Sequence, residues 1–290
     1  AVASTFGAAA PKTNNGSMRD RGWELTVYAN YPLKPDWQIY GVLNFSDSKA
    51  VVTQWNNPSK IISDHYAGET YGDIWGFETD RYFTEQDDMS KLPDQSKLAT
   101  GNFKYGPGDI KYKDLDGNNV IDGGKSTADD HGDLRVIGNT QPRYLYSLRL
   151  GSVLKNFDLD IFLQGVGKRS LWGVGDMVIP MYRGGTDILY ANQLDFWTPD
   201  HPNAKYPNPS VGSQSGNVSG LAKGGNNFYP QTKYLMNLAY CRLKNITFGY
   251  TLPQPLLQKY GIQNFRIYVS GENLAEISNV GVPLDPEITD

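Results

Sequence analysis

Apolar and polar residues alternate with a period of two along six runs of the chain, which predicts β-strands with two different faces. In the first stretch, Trp23, Leu25 and Val27 fall on one face, whereas Glu24 and Thr26 fall on the other. The runs approach the roughly 9 to 11 residues that a tilted strand needs to cross a bilayer. They pair into three predicted hairpins, made of residues 23–31 with 37–46, 144–150 with 157–164, and 245–252 with 265–270.

The connections between these runs alternate in length. Short links at 32–36 and near Lys155 alternate with long ones at 47–142 and 165–238, and the link at 253–264 is again shorter. Outer-membrane barrels have this asymmetry, because their periplasmic turns are tight and their extracellular loops are long. The alternation of side chains alone fits a soluble β-sandwich equally well, since each sheet of a sandwich also has one hydrated face.

Aromatic and charged side chains occupy positions that suit a membrane barrel. Trp23 and Trp37 lie near predicted strand ends, where an aromatic girdle would meet the lipid headgroups. Charged residues such as Glu24, Arg149 and Asp160 share the polar register, where a water-filled lumen would hydrate them. The solvated face of an ordinary antiparallel sheet accounts for the same charges.

The composition excludes several classes of function. Of the 290 residues, 12% are aromatic although the mean hydropathy is −0.50, a combination that strand-rich proteins produce. The net charge of −4 provides no cationic excess for binding nucleic acid. Cys241 is the single cysteine, which rules out an internal disulfide. The sequence contains no apolar run of about 18 residues, so it predicts no transmembrane helix. This criterion does not detect the strands of a membrane β-barrel, in which apolar and polar residues alternate.

Both ends of the sequence favour a piece of a longer protein. Residues 1–7 lack the basic and apolar regions of a signal peptide. Residues 285–290 have the composition of a loop and do not complete a strand. We therefore expect further sequence beyond one or both ends.

One loop resembles the first part of a calcium-binding loop. Hard cations require roughly six to eight oxygen ligands, which alternate residues of a tight loop can supply. Asn119 stands where glycine usually makes the sharp turn, and Lys125 stands where a bidentate carboxylate belongs. Asp129, Asp130 or Asp133 could replace that carboxylate, and the alternative is a loop closed by its own Asx hydrogen bonds. The candidate calcium ligands are Asp114, Asp116, Asn118 and Asp122.

No motif nominates an enzyme. The stretch 165–170 lacks the first glycine of a phosphate-binding loop, and no βαβ pattern surrounds it. His65, His131 and His201 have neither the spacing of metal ligands nor a nucleophile nearby in a suitable motif.

Aromatic residues in the long connections are the candidates for binding a ligand. They are interleaved with asparagines such as Asn203 and Asn227, and together could stack on and hydrogen-bond to sugar rings or peptide side chains. The simpler alternative is that they pack against one another inside a large loop. The candidates are Trp172, Trp197, Tyr206, Phe228 and Tyr229.

Several short strings, in order along residues 10–287, match those of one known family. They include PKTNNG at 11–16, GWEL at 22–25, IWGFETD at 74–80, GDIKYKD at 108–114, RLKN at 242–245 and GYTLP at 249–253. As a set they closely resemble the carboxyl-terminal half of SusC/RagA-type TonB-dependent outer-membrane transporters of the Bacteroidetes.

The resemblance implies an all-β fold, an antiparallel transmembrane β-barrel of about 22 strands with an amino-terminal plug in its lumen. Such transporters import oligosaccharides or peptides, with a SusD-like lipoprotein as a lid and a TonB complex that pulls on the plug. In this sequence the plug, the TonB box and the final strand expected after Pro286 are not found, so residues 1–290 correspond to the carboxyl-terminal part of the barrel. In the family the calcium-like string recurs in a loop, and substrate contacts have no shared signature.

These observations predict part of an outer-membrane nutrient importer that performs no covalent chemistry. Its expected partners are a SusD-like lid, the TonB complex, outer-membrane lipid and an oligosaccharide or peptide substrate, and no nucleic acid. No cofactor is expected apart from the candidate structural calcium ion. The alternatives are a soluble secreted β-sandwich that binds glycans, a secreted glycoside hydrolase, and a component of a larger outer-membrane assembly that transports nothing.

Overall fold

Six long strands form one antiparallel sheet. The computed structural model describes residues 16–101, 103–175, 178–180, 189–208, 226–280 and 284–287, so the PKTNNG string and the first residues of the chain lie almost entirely outside the described part. The neighbours in the sheet follow the order β1-β2-β7-β8-β11-β12. These strands are β1 (Ser17–Lys34), β2 (Trp37–Gln54), β7 (Arg143–Leu154), β8 (Phe157–Lys168), β11 (Tyr240–Thr251) and β12 (Arg266–Ser278).

The shorter elements lie in the connections. Three two-stranded sheets pair β3 (Asp73–Phe77) with β6 (Leu134–Asn139), β4 (Thr79–Tyr82) with β5 (Ile110–Tyr112), and β9 (Ser170–Leu171) with β10 (Met236–Asn237). A short α-helix, Gln254–Leu257, lies between β11 and β12. Short 3₁₀ turns occupy Ser96–Leu98, Ala191–Gln193, Asn226–Phe228 and Gln258–Tyr260.

The three predicted hairpins are confirmed as β1–β2, β7–β8 and β11–β12. The first two strands are longer than the alternation predicted, with 18 residues each. Their additional residues at the long-connection end are mostly polar on both faces, so they carry no period-two signal although they pair in the sheet. Among the described residues, no helix has the length and apolar content needed to cross a membrane.

Strand register separates the sheet into an apolar and a polar face. Directly paired residues share a face, and the register aligns them in rows that run across all six strands. The central apolar row contains Val27, Leu43, Leu148, Leu163, Leu243 and Ala275. A row of the polar face contains Asn30, Tyr40, Gly151, Asp160, Thr247 and Ser270.

The apolar face is not covered by a second layer in the part of the chain that the structure describes. Val27 is 46% exposed, Phe248 47% and Ile267 59%. A β-sandwich would seal such a face against another sheet about 10 Å away. The exposed face therefore contradicts the expectation for a soluble sandwich within these residues.

The polar face carries several groups of hydrogen bonds between its strands. Thr26 donates to Asn44 at 3.0 Å, and Asn44 donates to Ser147 at 3.1 Å. Nearer the end of the sheet where the short turns lie, Arg266 forms an ion pair with Asp158 through two hydrogen bonds. These contacts satisfy polar groups along the face without a protein layer above it.

The described residues of the two long connections, 55–142 and 169–239, pack together into one unit, which we call the loop unit. Both leave the same end of the sheet, whereas the short links lie at the other end. The unit has its own core, in which side chains from both connections meet. This core contains Phe77, Tyr82, Leu98, Ile110, Tyr112, Ile121, Trp197 and Ala204.

Buried amides join the two connections inside the loop unit. Asn227 accepts a hydrogen bond from the backbone N–H of Ile110 at 2.7 Å and donates to Asp109 at 2.7 Å. Gln231 donates to the hydroxyl of Tyr112 at 3.1 Å and accepts from Thr79 at 2.8 Å. Because such groups are costly to bury without partners, this network specifies how the two connections fit together.

Candidate functional site

A cleft of about 520 Å³ lies where the six-stranded sheet meets the loop unit. Its sheet side is formed by β1, β2, β7 and β8, and its loop side by the β3–β6 pair. Most of the sheet residues that line it belong to the polar face. Its polar and charged lining includes Asp20, Ser48, Lys49, Asp73, Asn139, Gln141, Arg143, Tyr144 and Lys168.

The start of β7 shapes one rim of the cleft. Tyr144 has a left-handed backbone with φ of 56°, which redirects the strand just after Arg143. The guanidinium of Arg143 forms a two-bonded ion pair with Asp47, which is 8% exposed. This bidentate pair holds the rim in place, because planar forked contacts between arginine and carboxylate fix orientation as well as distance.

Asn139 at the end of β6 shapes the opposite rim. Its side-chain amide donates to Asp73 at 2.8 Å and to the carbonyl of Tyr71 at 3.1 Å. Its carbonyl oxygen accepts from the backbone N–H of Gln141 at 2.8 Å. One side chain therefore joins β3, β6 and the chain segment that enters β7.

Four of the five candidate ligand-binding aromatics lie within the cores of the loop unit. Trp197 is 4% exposed, Tyr206 3% and Phe228 1%. Tyr229 is partly buried, and its hydroxyl donates to the carbonyl of Leu98 at 2.9 Å. Their burial favours packing within the loops, the simpler of the two roles considered for them.

Trp172, the fifth candidate, lies apart from that group. It is partly buried and immediately follows the short strand β9. It does not line the cleft. The sequence therefore did not indicate the cleft through its aromatic residues.

The calcium-like loop brings two of its four predicted ligands together. The carboxylates of Asp114, Asp116 and Asp133 each offer an oxygen within 4.8 Å of the others. Asp122 is turned away and forms an ion pair with Lys97 at 2.6 Å. Asn118 also points elsewhere, since its side-chain oxygen accepts from the backbone N–H of Val120 at 2.7 Å.

The conformation of this loop fits a cation only in part. Asn119 adopts a left-handed backbone with φ of 62°, so it takes the turn that glycine makes in calcium loops. The oxygens of Asp114 accept backbone N–H groups of Gly117 and Asn119 at 2.7 and 2.8 Å. Burial raises the pKa of Asp133, which a bound cation would oppose. Three carboxylates supply fewer oxygens than a complete calcium shell, so water or backbone would have to supply the others.

The histidines of the described residues form no nucleophilic pair. His65 contacts Glu69 at 3.0 Å, and His201 contacts Asp195 at 2.8 Å. His131 lies against the backbone carbonyl of Gly132. Each ring is held by a carboxylate or a carbonyl, which gives no arrangement of a base beside a serine or cysteine.

Asp109 is a partly buried acid that the sequence analysis did not single out. Burial raises the pKa of its carboxyl to about 6, while Asn227 and the backbone N–H of Gly106 donate to it at 2.7 and 2.9 Å. It lies at the contact between the two long connections. No local motif marks it, because its environment depends on residues 118 positions away.

No family model matches the chain. Among curated proteins, it is 26% identical over 275 residues to TonB-dependent receptor P3 of Formosa agariphila, which covers 90% of this chain and 24% of that receptor. It is 22% identical over 278 residues to TonB-dependent receptor P26 of the same organism, with coverages of 94% and 26%. The comparisons confirm the resemblance to SusC/RagA-type TonB-dependent receptors. This chain spans about a quarter of the length of these receptors.

Solved structures have the same fold over nearly the whole chain. The RagAB peptide transporter matches with a TM-score of 0.64 and 18% identity, over 99% of this chain and 28% of the transporter chain. The RagAB peptide importer in its closed-closed state matches with a TM-score of 0.61 and 19% identity, over 99% and 29%. These relatives and solved structures are named as receptors, a transporter and an importer, and not as enzymes.

Proposed function

We propose that this chain is the carboxyl-terminal part of the β-barrel of an outer-membrane TonB-dependent transporter that imports oligosaccharides or peptides. The observation that carries the proposal is the sheet with an exposed apolar face, a hydrogen-bonded polar face, and both long connections at one end. Lipid would cover the first face and a hydrated lumen the second. The loop unit would then lie on the extracellular side.

The height of the apolar band supports this placement. Ten positions along β2 separate Trp37 from Asp47, the partner of Trp23. At about 3.3 Å per residue this is about 33 Å along the strand. A strand tilt of about 40° reduces it to about 25 Å, the height of the apolar band in outer-membrane barrels.

Aromatic rings lie at both limits of the band. At the loop end, the rings of Trp23 and Phe45 meet edge to face at 5.1 Å. At the turn end, Phe157 lies 4.7 Å from Tyr250, and the indole N–H of Trp37 donates to Ser152 at 3.0 Å. Tryptophan and tyrosine favour the membrane–water interface because one part of the ring is apolar and another can be hydrated.

The outer edges of β1 and β12 require further strands in this setting. Neither edge is paired within the described residues. An unpaired strand edge in lipid leaves backbone N–H and C=O groups without partners, which costs several kcal/mol per group. We therefore place both edges against other strands of the same longer protein, which together close the barrel.

The proposed transport needs no covalent chemistry. A ligand is captured between the loop unit and a SusD-like surface lipoprotein, and the TonB complex then opens a path by displacing a plug in the lumen. The names of the relatives, TonB-dependent receptors and a RagAB peptide transporter, support this mechanism. The residues of this chain form the wall of the path and the loops at its mouth.

Cysteine labelling of the full-length receptor tests the placement in the membrane. In a Cys241→Ala background, Glu85→Cys lies in the loop unit and Asp36→Cys in the turn between β1 and β2, and both positions are exposed. A membrane-impermeant maleimide should label Glu85→Cys on intact cells, and Asp36→Cys only after the outer membrane is permeabilised. Equal labelling of both on intact cells, or a receptor that stays monodisperse without detergent, would contradict the proposal.

A further inference from the structure

Three exposed cationic residues lie together on the apolar face of the sheet, at its loop end, and we call them the cation cluster. Arg21 on β1 is paired directly with Lys49 on β2, and Arg19 lies two residues further along β1. The register is unbroken from Arg19 to Trp23, so all three cations share the face of Trp23. Lys49 also borders the cleft, but its register position is on the face opposite Asp20.

The cation cluster has no anionic partner in the part of the chain that the structure describes. None of its side chains forms an ion pair or a side-chain hydrogen bond there. Asp47 lies one row nearer the turn end on the same face, but both of its carboxylate oxygens accept from the guanidinium of Arg143. Directly opposed cations in a sheet repel each other, because their Cβ atoms are only about 4.5–5.5 Å apart. An added anion would relieve this repulsion.

The cation cluster lies just beyond the apolar band. Trp23 is at the loop-end limit of that band, and Arg21 lies two residues beyond it. At about 3.3 Å per residue and a strand tilt of about 40°, Arg21 and Lys49 are about 5 Å above the band and Arg19 about 10 Å. The polar headgroup region adds about 5–8 Å on each side of the hydrocarbon. Long arginine and lysine side chains can bend along the surface to place their charges in that region.

We propose that the cation cluster binds a phosphorylated lipid headgroup of the outer leaflet. This rests on the proposed transport function, which places the apolar face in lipid and the loop unit outside the cell. Phosphate suits the cluster because arginine can bind two of its oxygens at once and lysine adds a compact charge. Diagonal positions such as Arg19 and Lys49 lie about 7–8 Å apart, so long side chains from both strands can reach one headgroup.

A lipid matches this surface better than a soluble anion does. The rings of Trp23 and Phe45 meet at 5.1 Å next to the cation cluster, where the apolar face begins. The acyl chains of a lipid would cover this apolar surface while its phosphate meets the cations. A soluble anion would gain only exposed ion pairs, which water and salt weaken.

Folding titrations of the full-length receptor test the proposal, in vesicles of phosphatidylcholine alone and of phosphatidylcholine mixed with phosphatidylglycerol. We expect the anionic lipid to stabilise the wild type, so that its equilibrium constant for unfolding is lower in the mixed vesicles. Arg21→Gln should reduce this effect about fivefold, as expected for one cation near an anionic membrane surface. The triple variant with Arg19→Gln, Arg21→Gln and Lys49→Gln should lose most of it. Inorganic phosphate added to phosphatidylcholine vesicles should not reproduce the effect.

Two comparisons separate lipid binding from a defect in folding. In phosphatidylcholine alone, Arg21→Gln should be at least as stable as the wild type, because the repulsion between β1 and β2 is reduced. Lys168→Gln is the matched control, since it removes a cation from the same end of the sheet but from the polar face. It should respond to phosphatidylglycerol as the wild type does.

Three results would overturn the proposal. Equal stability of the wild type in both vesicles would show that other residues of the longer protein already neutralise the cation cluster. The same response in the triple variant and in Lys168→Gln would show that the anionic lipid acts elsewhere. Equal stabilisation by inorganic phosphate would show that a lipid is not required. A receptor that folds in neither vesicle would contradict the proposed transport function together with this inference, so the two failures are distinguishable.

Discussion

The hydroxyl of Tyr40 on β2 donates to Asp160 on β8 at 2.9 Å, across the intervening strand β7. The tyrosine ring crosses Gly151 of β7, where a Cβ would lie only 2.0 Å from the ring. Arg149 donates to the same carboxylate at 2.8 Å. Because Gly151 has no side chain, the Tyr40 ring can cross β7, and side chains from β2, β7 and β8 meet at the Asp160 carboxylate.

Gly151→Ala should destabilise the folded receptor by about 1–3 kcal/mol, the usual cost of overpacking. The new methyl group cannot coexist with the Tyr40 ring, so the hydrogen bond to Asp160 would be lost or the strands would shift. The measurement is an equilibrium folding titration of the full-length receptor in lipid vesicles.

Gly41→Ala is the matched control, because its Cβ would lie 3.3 Å from a flexible leucine side chain, a contact that can relax. Adding Tyr40→Ala to Gly151→Ala should recover part of the loss, since the clashing ring is removed. Equal costs for the two glycine variants, with no recovery in the double variant, would show that the ring does not lie over Gly151.

The β-hairpins, the two faces of the sheet and the end at which the loops gather were predictable from sequence. The period-two pattern reports which side chains share a face of the sheet, and it did so correctly for rows such as the one through Leu43 and Leu163. The same pattern missed the outer parts of β1 and β2, because both faces there are polar. Closure of the sheet into a barrel is not a local property and stays a proposal.

The site was predictable only in part, since it is built from segments far apart in the chain. Asp20, Asp73 and Lys168 have no local motif, and they line the same cleft only because β1, β3 and β8 converge there. In the calcium-like loop, spacing correctly placed Asp114 beside Asp116 but could not show that Lys97 would hold Asp122. Long-range pairing decides such contacts.

Calcium should stabilise the receptor through the carboxylates of Asp114, Asp116 and Asp133. We expect millimolar Ca²⁺ to raise the melting temperature and a chelator to reverse the rise, since extracellular sites with few charged ligands bind in the range of about 0.1–1 mM. Asp116→Asn should abolish the rise. Asp80→Asn, which lies in an ion pair with Lys111 outside the cluster, should keep it. An unchanged melting temperature in the wild type would leave Asx hydrogen bonds as the sole function of this loop.

Stability of the loop unit should fall as the pH rises through about 6. Burial raises the pKa of Asp109 from 3.8 to about 6, so the folded state binds its proton more tightly than the unfolded state does. The contribution of Asp109 to the free energy of unfolding is therefore greatest below about pH 4. It decreases as the pH rises, until the carboxyl of the folded state is fully ionised.

Asp109→Asn removes this titration and keeps an oxygen that can accept from Asn227. At pH 8 the variant should resist proteolysis of the long connections better than the wild type, and at pH 4.5 the two should differ less. Asp88→Asn, at an exposed acid of the same unit that pairs with Lys91, serves as the control. A difference between Asp109→Asn and wild type that does not change with pH would rule out titration of Asp109 as its cause.

The most direct test of the account is a depth-graded arginine scan of the apolar face in the full-length receptor, read out by folding titrations into lipid bilayers. Leu163 lies in the central apolar row, whereas Ile267 pairs with Tyr250 in the aromatic row at the turn end. Leu163→Arg should cost about 2–4 kcal/mol, Ile267→Arg about 0–1 kcal/mol, and Gln164→Arg on the polar face a similarly small amount. Equal costs at Leu163 and Gln164, or a larger cost at Ile267 than at Leu163, would contradict the placement of this face in lipid.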